Sequence, residues 1–145
     1  MTTEAIELWH RRARPEPTAA DFNVQLGCHF EEVCEMFDAL AFDFESAREA
    51  SVAHKALLRL AERLKSGAGK AKIYDRKDFL DSIADQVVTG IGAAYCAGMK
   101  GAVACDRVNT SNWSKFDENG QPIRDPNGKI TKGPNYQQPM LDGLY

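Results

Sequence analysis

The chain has 145 residues, of which 43% are hydrophobic and 27% charged, proportions of a globular protein with a core that stands without disulfide or zinc staples. A formal net charge of −3 provides no electrostatic footprint for nucleic acid or an anionic membrane surface, and charges break every apolar run well short of membrane-spanning length. The opening Met1-Thr2-Thr3-Glu4 lacks the basic-then-apolar pattern of a secretory signal, so a cytoplasmic setting is expected. Cys28, Cys34, Cys96 and Cys105 form neither a CxxC pair nor a zinc spacing and read as reduced core thiols.

Residues 3–12 read as a short amphipathic helix with Ile6 and Trp9 inward. Arg14-Pro15-Glu16-Pro17 stops it, because proline disfavours helix in the residue before it. Thr18 is the expected N-cap of a second helix, with Asp21 in the position of a capping-box acid. Leu26, Phe30, Val33, Phe37, Leu40 and Phe44 recur at alternating helical steps, which carries this helix to Phe44 as one apolar stripe. A third helix covers 47–65, packs through Leu57, Leu60, Ala61 and Leu64, and ends in Ser66-Gly67-Ala68-Gly69.

The fourth helix, 76–97, carries Leu80, Ile83, Val87, Ile91 and Ala94. After the Gly98–Gly101 turn a fifth helix runs over 102–114. Beyond Phe116 the character changes. Asp117-Glu118-Asn119-Gly120 and Asp125-Pro126-Asn127-Gly128 are turn signals around the β-prone pieces 121–124 and 129–131. They predict a small hairpin followed by an extended tail. The expected fold is all-α, one domain over 1–145: a bundle of four to five helices to residue 116, then the hairpin and tail over 117–145.

Two acidic clusters stand out in these apolar helices: Glu31-Glu32-Val33-Cys34-Glu35 and Asp78, Asp81 and Asp85. Helical spacing puts each cluster on one face, where like charges repel. The residues alone leave two readings open. The faces are solvated, or they look into protein and surround a cation. Neither cluster has Lys or Arg four residues after its first carboxylates, and Cys28, Ala39 and Phe42 share the side of Glu35. An all-oxygen donor set without histidine suits Mg²⁺ or Mn²⁺ over zinc or copper. A di-iron bundle needs a Glu-x-x-His pair from each of two helices, and of the three histidines only His10 follows a Glu, Glu7, at that spacing.

Glu31-Glu32-x-x-Glu35, with a later acidic pair ending in Asp85, resembles the signature of the all-α nucleoside triphosphate pyrophosphatases, the MazG-like superfamily. The tail resembles the C-terminal pattern of a phage and bacterial subfamily described as phosphoribosyl-ATP pyrophosphohydrolase-like. It runs Val108-Asn109-Thr110-Ser111-Asn112-Trp113-Ser114-Lys115-Phe116, then Asn119-Gly120-Gln121-Pro122, then Gly128-Lys129-Ile130-Thr131-Lys132-Gly133-Pro134-Asn135-Tyr136. The usual second motif is ExxD. Here Ser82 stands three residues before Asp85 and the acid lies four before, at Asp81.

The resemblance implies Mg²⁺-dependent hydrolysis of nucleoside triphosphates to monophosphate and pyrophosphate. Glu31, Glu32 and Glu35 would be the catalytic carboxylates, and Glu32, Glu35, Asp81 and Asp85 the metal ligands, with Mn²⁺ as a possible substitute. Lys115 and Lys132 would contact phosphates, Asn109 and Asn112 would face the nucleotide, Tyr136 would stack on a base or close the pocket, and Gln25 would reach the base. It further implies a homodimer or homotetramer. The alternative from another class is a nucleotide-binding or structural helical oligomer without turnover. Trp9, Trp113 and Phe116 read as packing residues rather than base-stacking ones.

Overall fold

Each of the five helix-patterned segments forms a helix in the computed structural model, which describes residues 3–145. They are α1 (Thr3–Ala13), α2 (Ala19–Asp38), α3 (Phe44–Lys65), α4 (Arg76–Cys96) and α5 (Gly101–Trp113), with no strand among the described residues. Two compact units result. One contains α2 and α3 as Glu16–Ala71, together with Arg124–Lys129. The other holds the chain to Pro15, Lys72–Ile123 and Ile130–Tyr145, and so α1, α4 and α5.

In the α2–α3 unit the capping box at the start of α2 is complete. The Asp21 N–H donates to Thr18 Oγ1 at 3.1 Å and the Thr18 N–H to the Asp21 carboxylate at 3.0 Å. The helix stops at Asp38, short of the expected Phe44, because Asp43 caps the next one. Its Oδ1 accepts from the Glu45 and Ser46 N–H groups, and its backbone is extended at φ −62° and ψ 169°, a geometry that interrupts a continuous helix. Phe44 therefore opens α3, where it is 93% exposed, instead of closing the stripe of α2.

The two helices run antiparallel, Gly27 lying against Ala61 and Lys65 and the Cys34 thiol near the His54 carbonyl. Their fully buried line is Val24, Gly27 and Cys34 against Ala61 and Leu64. The expected stripe is rotated outward: Leu26, Phe30, Val33 and Phe37 are half-buried and Leu40 is exposed. Small residues win the crossing point because they let the backbones approach. Asn23, itself buried, fastens the chain leaving α3. Its Oδ1 accepts from the Ala71 N–H at 2.6 Å and its Nδ2 donates to the Ala19 carbonyl at 2.8 Å.

A Cβ at Gly27 would meet the Ala61 carbonyl oxygen and Lys65 Cγ, each at 2.7 Å. The lysine stem can move aside and the backbone oxygen cannot. Gly27→Val is therefore expected to cost about 1–3 kcal/mol through overpacking, more than the few tenths that a better helix former returns. Thermal unfolding followed by circular dichroism should show a midpoint several degrees lower. An unchanged midpoint would mean that the crossing is not this close in solution.

In the other unit, Trp9, Ala13, Phe116 and Ile130 form a buried cluster. The Trp9 indole N–H donates to the Asn112 carbonyl at 2.9 Å, and Trp9 and Trp113 lie with ring centroids 5.8 Å and 5.4 Å from Phe116. The packing role expected for Trp9 and Phe116 is observed. Helices α4 and α5 meet at 118° across a turn in which Gly98 takes φ +78°, a left-handed value that glycine adopts without penalty. No residue of α4 is buried.

The tail is tied along α5 in the opposite direction. The Lys100 N–H donates to the Leu144 carbonyl at 2.8 Å, Arg107 to the Met140 carbonyl at 2.5 Å and Ser111 Oγ to the Gln137 carbonyl at 2.6 Å. The expected hairpin does not form. Phe116 and Pro122 make an isolated antiparallel bridge, and the Thr131 N–H donates to the Ile123 carbonyl at 2.8 Å. The turns consume their own donors. The Asp117 carboxylate accepts from the Asn119 and Gln121 N–H groups, and the Asp125 carboxylate from those of Asn127 and Lys129. Such local bonds compete with a ladder.

All four cysteines are free; Cys34 alone of them is buried, Cys28 is half-buried, and Cys96 and Cys105 are exposed. The core reading thus holds for Cys34 and is corrected for Cys96 and Cys105, whose helices leave those faces open. No single helix among the described residues is long and apolar enough to cross a membrane.

Candidate carboxylate site

On α2, Glu31 is half-buried while Glu32 and Glu35 are exposed. Each oxygen of Glu31 faces a different ammonium. Lys65 Nζ, from the last turn of α3, is 2.5 Å from Oε1, and Lys129 Nζ is 2.9 Å from Oε2. Partial burial pushes the Glu31 carboxyl up, but the hydrogen bonds and charges of Lys65 and Lys129 outweigh it and hold the group below its ordinary value. The same bond raises Lys129, against the opposing effect of its own desolvation. Farther along, burial, then the charges of Asp38 and Glu31, push the Cys34 thiol up, which favours the protonated thiol. His54 Nε2 lies 3.2 Å from Asp38 Oδ1 without hydrogen-bond alignment, and its ring meets Phe37 edge-on.

On α4, Asp75 is the N-cap and accepts from the Lys77 and Asp78 N–H groups. Asp78, Asp81 and Asp85 are exposed. The expectation that both acidic faces look into protein is thus not met within one chain: Glu32, Glu35, Asp81 and Asp85 all meet solvent, since α4 buries neither its acidic nor its apolar side. Among the described residues no three His, Cys, Asp or Glu side chains are gathered into a group that could hold a metal. The donor set fits a hard divalent cation in kind, being all carboxylate oxygen with paired acids one helical turn apart.

The residues expected to bind nucleotide divide between the two units, Gln25 in one and the others in the other. Gln25 is exposed on α2. Asn109 is buried on α5, at 3% exposure, and Asn112, one turn on, is half-buried and accepts the Trp9 indole at its carbonyl. Lys115 is half-buried beyond the end of that helix. The Lys132 ammonium sits 4.7 Å from the centre of the Tyr136 ring, a cation–π contact within one turn of the tail. Between them Gly133 lies close under Ile123, whose Cδ1 would have to move for a Cβ there, the two atoms being only 2.3 Å apart otherwise.

Sequence reasoning passed over Lys65 and Lys129. Lys65 carries no local signal, whereas the Asp125–Gly128 turn immediately before Lys129 marks a lysine whose backbone would be fixed. No protein-family model, curated protein or solved structure matches this chain.

Proposed function

We propose that this chain is a nucleoside triphosphate pyrophosphohydrolase of the MazG-like all-α type, acting on (d)NTP with Mg²⁺ to give the monophosphate and pyrophosphate. The observation that carries the reading is the Glu31-Glu32-x-x-Glu35 stretch on one helix with two ammoniums fixed at its first carboxylate. The order of the Ser111–Lys115 and Lys132–Tyr136 segments behind it adds support. Glu32, Glu35 and Asp85, with Asp81, would hold Mg²⁺, or Mn²⁺ in its place. The cation would supply charge screening and polarisation of phosphoryl oxygens. Among the chain's own groups, Glu32 and Glu35 are the carboxylates of this stretch exposed to an attacking water and able to take its proton, while both Glu31 oxygens are engaged. Lys115 and Lys132 supply charge toward phosphates, Asn109 and Asn112 amide contacts, and Tyr136 and Gln25 contacts to the base.

The active form we propose is a homodimer or homotetramer in which copies cover α4. Leu80 and Val88 are each 69% exposed and Tyr95 79%, an apolar load that monomers seldom leave to water. Leu80→Arg with Val88→Asp is expected to move the protein to monomer mass in light scattering with the helical spectrum kept. An unchanged mass would place the interface elsewhere.

The direct test is pyrophosphate release from a panel of (d)NTPs with and without Mg²⁺; release from at least one, dependent on the cation, is the expected result. A second reading, nucleotide binding without turnover, is favoured by the fact that no three acids are gathered within the described residues. Tight nucleotide binding with no release from any member of the panel would establish it in place of the first.

A further inference from the structure

A half-buried lysine needs one carboxylate to balance it, and Glu31 is shared by two. Counted by themselves, Lys65, Lys129 and Glu31 carry one positive charge more than they cancel, with Glu32 the next carboxylate acting on Lys129. Its side chains are confined: Lys65 is 19% exposed, Glu31 24% and Lys129 40%. Lysine is rarely held at the depth of Lys65 unless paired, and a second, partly desolvated ammonium on the same carboxylate adds cost without need if a structural ion pair is all that is required.

Both lysines are guided into place. The stem of Lys65 crosses directly over Gly27, where any Cβ would displace it. Lys129 closes a five-residue loop: its N–H donates to the Asp125 carboxylate and its carbonyl accepts the Asp125 N–H, each at 2.9 Å. Arg124, at the other end of that loop, pairs with Asp21 of α2 at 3.4 Å. Each ammonium spends one N–H on Glu31 and keeps two for other acceptors. Glu32, next along α2, adds to the field at Lys129, so the pair sits beside one of the carboxylates assigned to the cation.

We infer that Lys65 and Lys129 form a binding pair for the pyrophosphate moiety of a polyphosphate, and that Glu31 is the residue that positions them rather than a metal ligand. The anion chemistry follows from the two fixed ammoniums; its identification with the leaving end of a triphosphate rests on the hydrolase reading. Glu31 keeps the two like charges from repelling each other apart and sets their spacing before the anion arrives, which lowers the entropy lost on binding.

Calorimetry with inorganic pyrophosphate and Mg²⁺, alongside its product inhibition of nucleotide hydrolysis, tests this on the full chain. Lys129→Met is expected to weaken pyrophosphate binding about tenfold or more, the scale of one lost charge-assisted hydrogen bond. The kinetic loss falls on KM rather than kcat, and Lys129→Arg restores most of it. Glu31→Gln weakens binding as well, because the lysines lose their anchor. Lys65→Met should match Lys129→Met; if its packing over Gly27 prevents folding, the more exposed Lys129 carries the test. Pyrophosphate affinity equal to wild type in folded Lys129→Met overturns the proposal, including when its thermal midpoint drops, the mark of a structural ion pair alone. A wild-type chain that hydrolyses no nucleotide yet binds pyrophosphate through Lys129 retires the hydrolase reading and keeps the anion pair. A chain that hydrolyses nucleotide with Lys129-independent pyrophosphate affinity does the reverse.

Discussion

Glu35→Gln is expected to abolish Mg²⁺-dependent pyrophosphate release while the far-ultraviolet spectrum and thermal midpoint stay near wild type. The substitution keeps shape and removes one negative charge from an exposed position on α2, so the fold has little to lose; surface changes of this kind stay within about 0.5 kcal/mol. The function has much to lose. A hard divalent cation held by a few carboxylates depends on their summed charge, and even outer-sphere partners of a metal matter by about 10–100-fold. A direct ligand should therefore cost about 100-fold or more in activity at fixed Mg²⁺. A Mg²⁺ titration separates the causes: partial recovery at high Mg²⁺ marks a weakened site, while flat, absent activity marks a lost proton acceptor. Turnover near wild type would remove Glu35 from both roles.

What the sequence shows of this fold follows the range of the forces involved. Helices α1, α3, α4 and α5 and the Thr18–Asp21 box rest on neighbours within a turn, and the pattern of residues exposes them. The end of α2 depended on whether Asp43 would cap or be passed over. The apolar steps through Leu40 and Phe44 argued for passing over, and the two backbone N–H groups that Asp43 accepts decided otherwise. The orientation of α2 departs from its apolar stripe for a related reason. Hydrophobicity picked Leu26, Phe30 and Phe37 as the inner line, but close helix packing favours the small side chains of Gly27 and Ala61, which carry little weight on a hydropathy scale. The hairpin failed where Asp117 and Asp125 took the donors it needed.

The candidate site divides along the same line. The acids were visible because like charges at helical spacing are unusual on an otherwise apolar helix. Their partners were not, because Lys65 lies 34 residues and Lys129 98 residues from Glu31, and no local pattern encodes such a pairing. The apolar side of α4, legible as a core stripe, is open to water in the single chain. Periodicity identifies a face that wants covering and does not say whether the same chain covers it, so Leu80, Val87 and Val88 read alike for a core and for an interface.

The largest loss of stability is expected from Trp9→Ala. Trp9 is 6% exposed in a cluster with Ala13, Phe116 and Ile130, and it joins α1 to α5 by both its ring and its indole N–H. Truncating a buried tryptophan costs about 3–5 kcal/mol through lost transfer energy and the cavity left behind, and losing the indole bond to the Asn112 carbonyl, which keeps its bond from the Lys115 N–H, adds about 1 kcal/mol more. Set against a typical total of about 5–15 kcal/mol, this is enough to leave α1 and the Phe116–Ile130 region without a fixed partner. Urea unfolding followed by circular dichroism should show a much lower midpoint. The fluorescence of Trp113, then the remaining tryptophan, should shift toward that of a solvated indole, because Phe116 no longer packs beneath it. Trp9→Phe separates the two contributions: it keeps an aromatic ring against Phe116 and loses only the N–H donor, so its penalty should fall well below that of alanine. Equal penalties for the two would assign the stability to the hydrogen bond, and a wild-type midpoint for Trp9→Ala would show that the cluster does not hold α1 to α5.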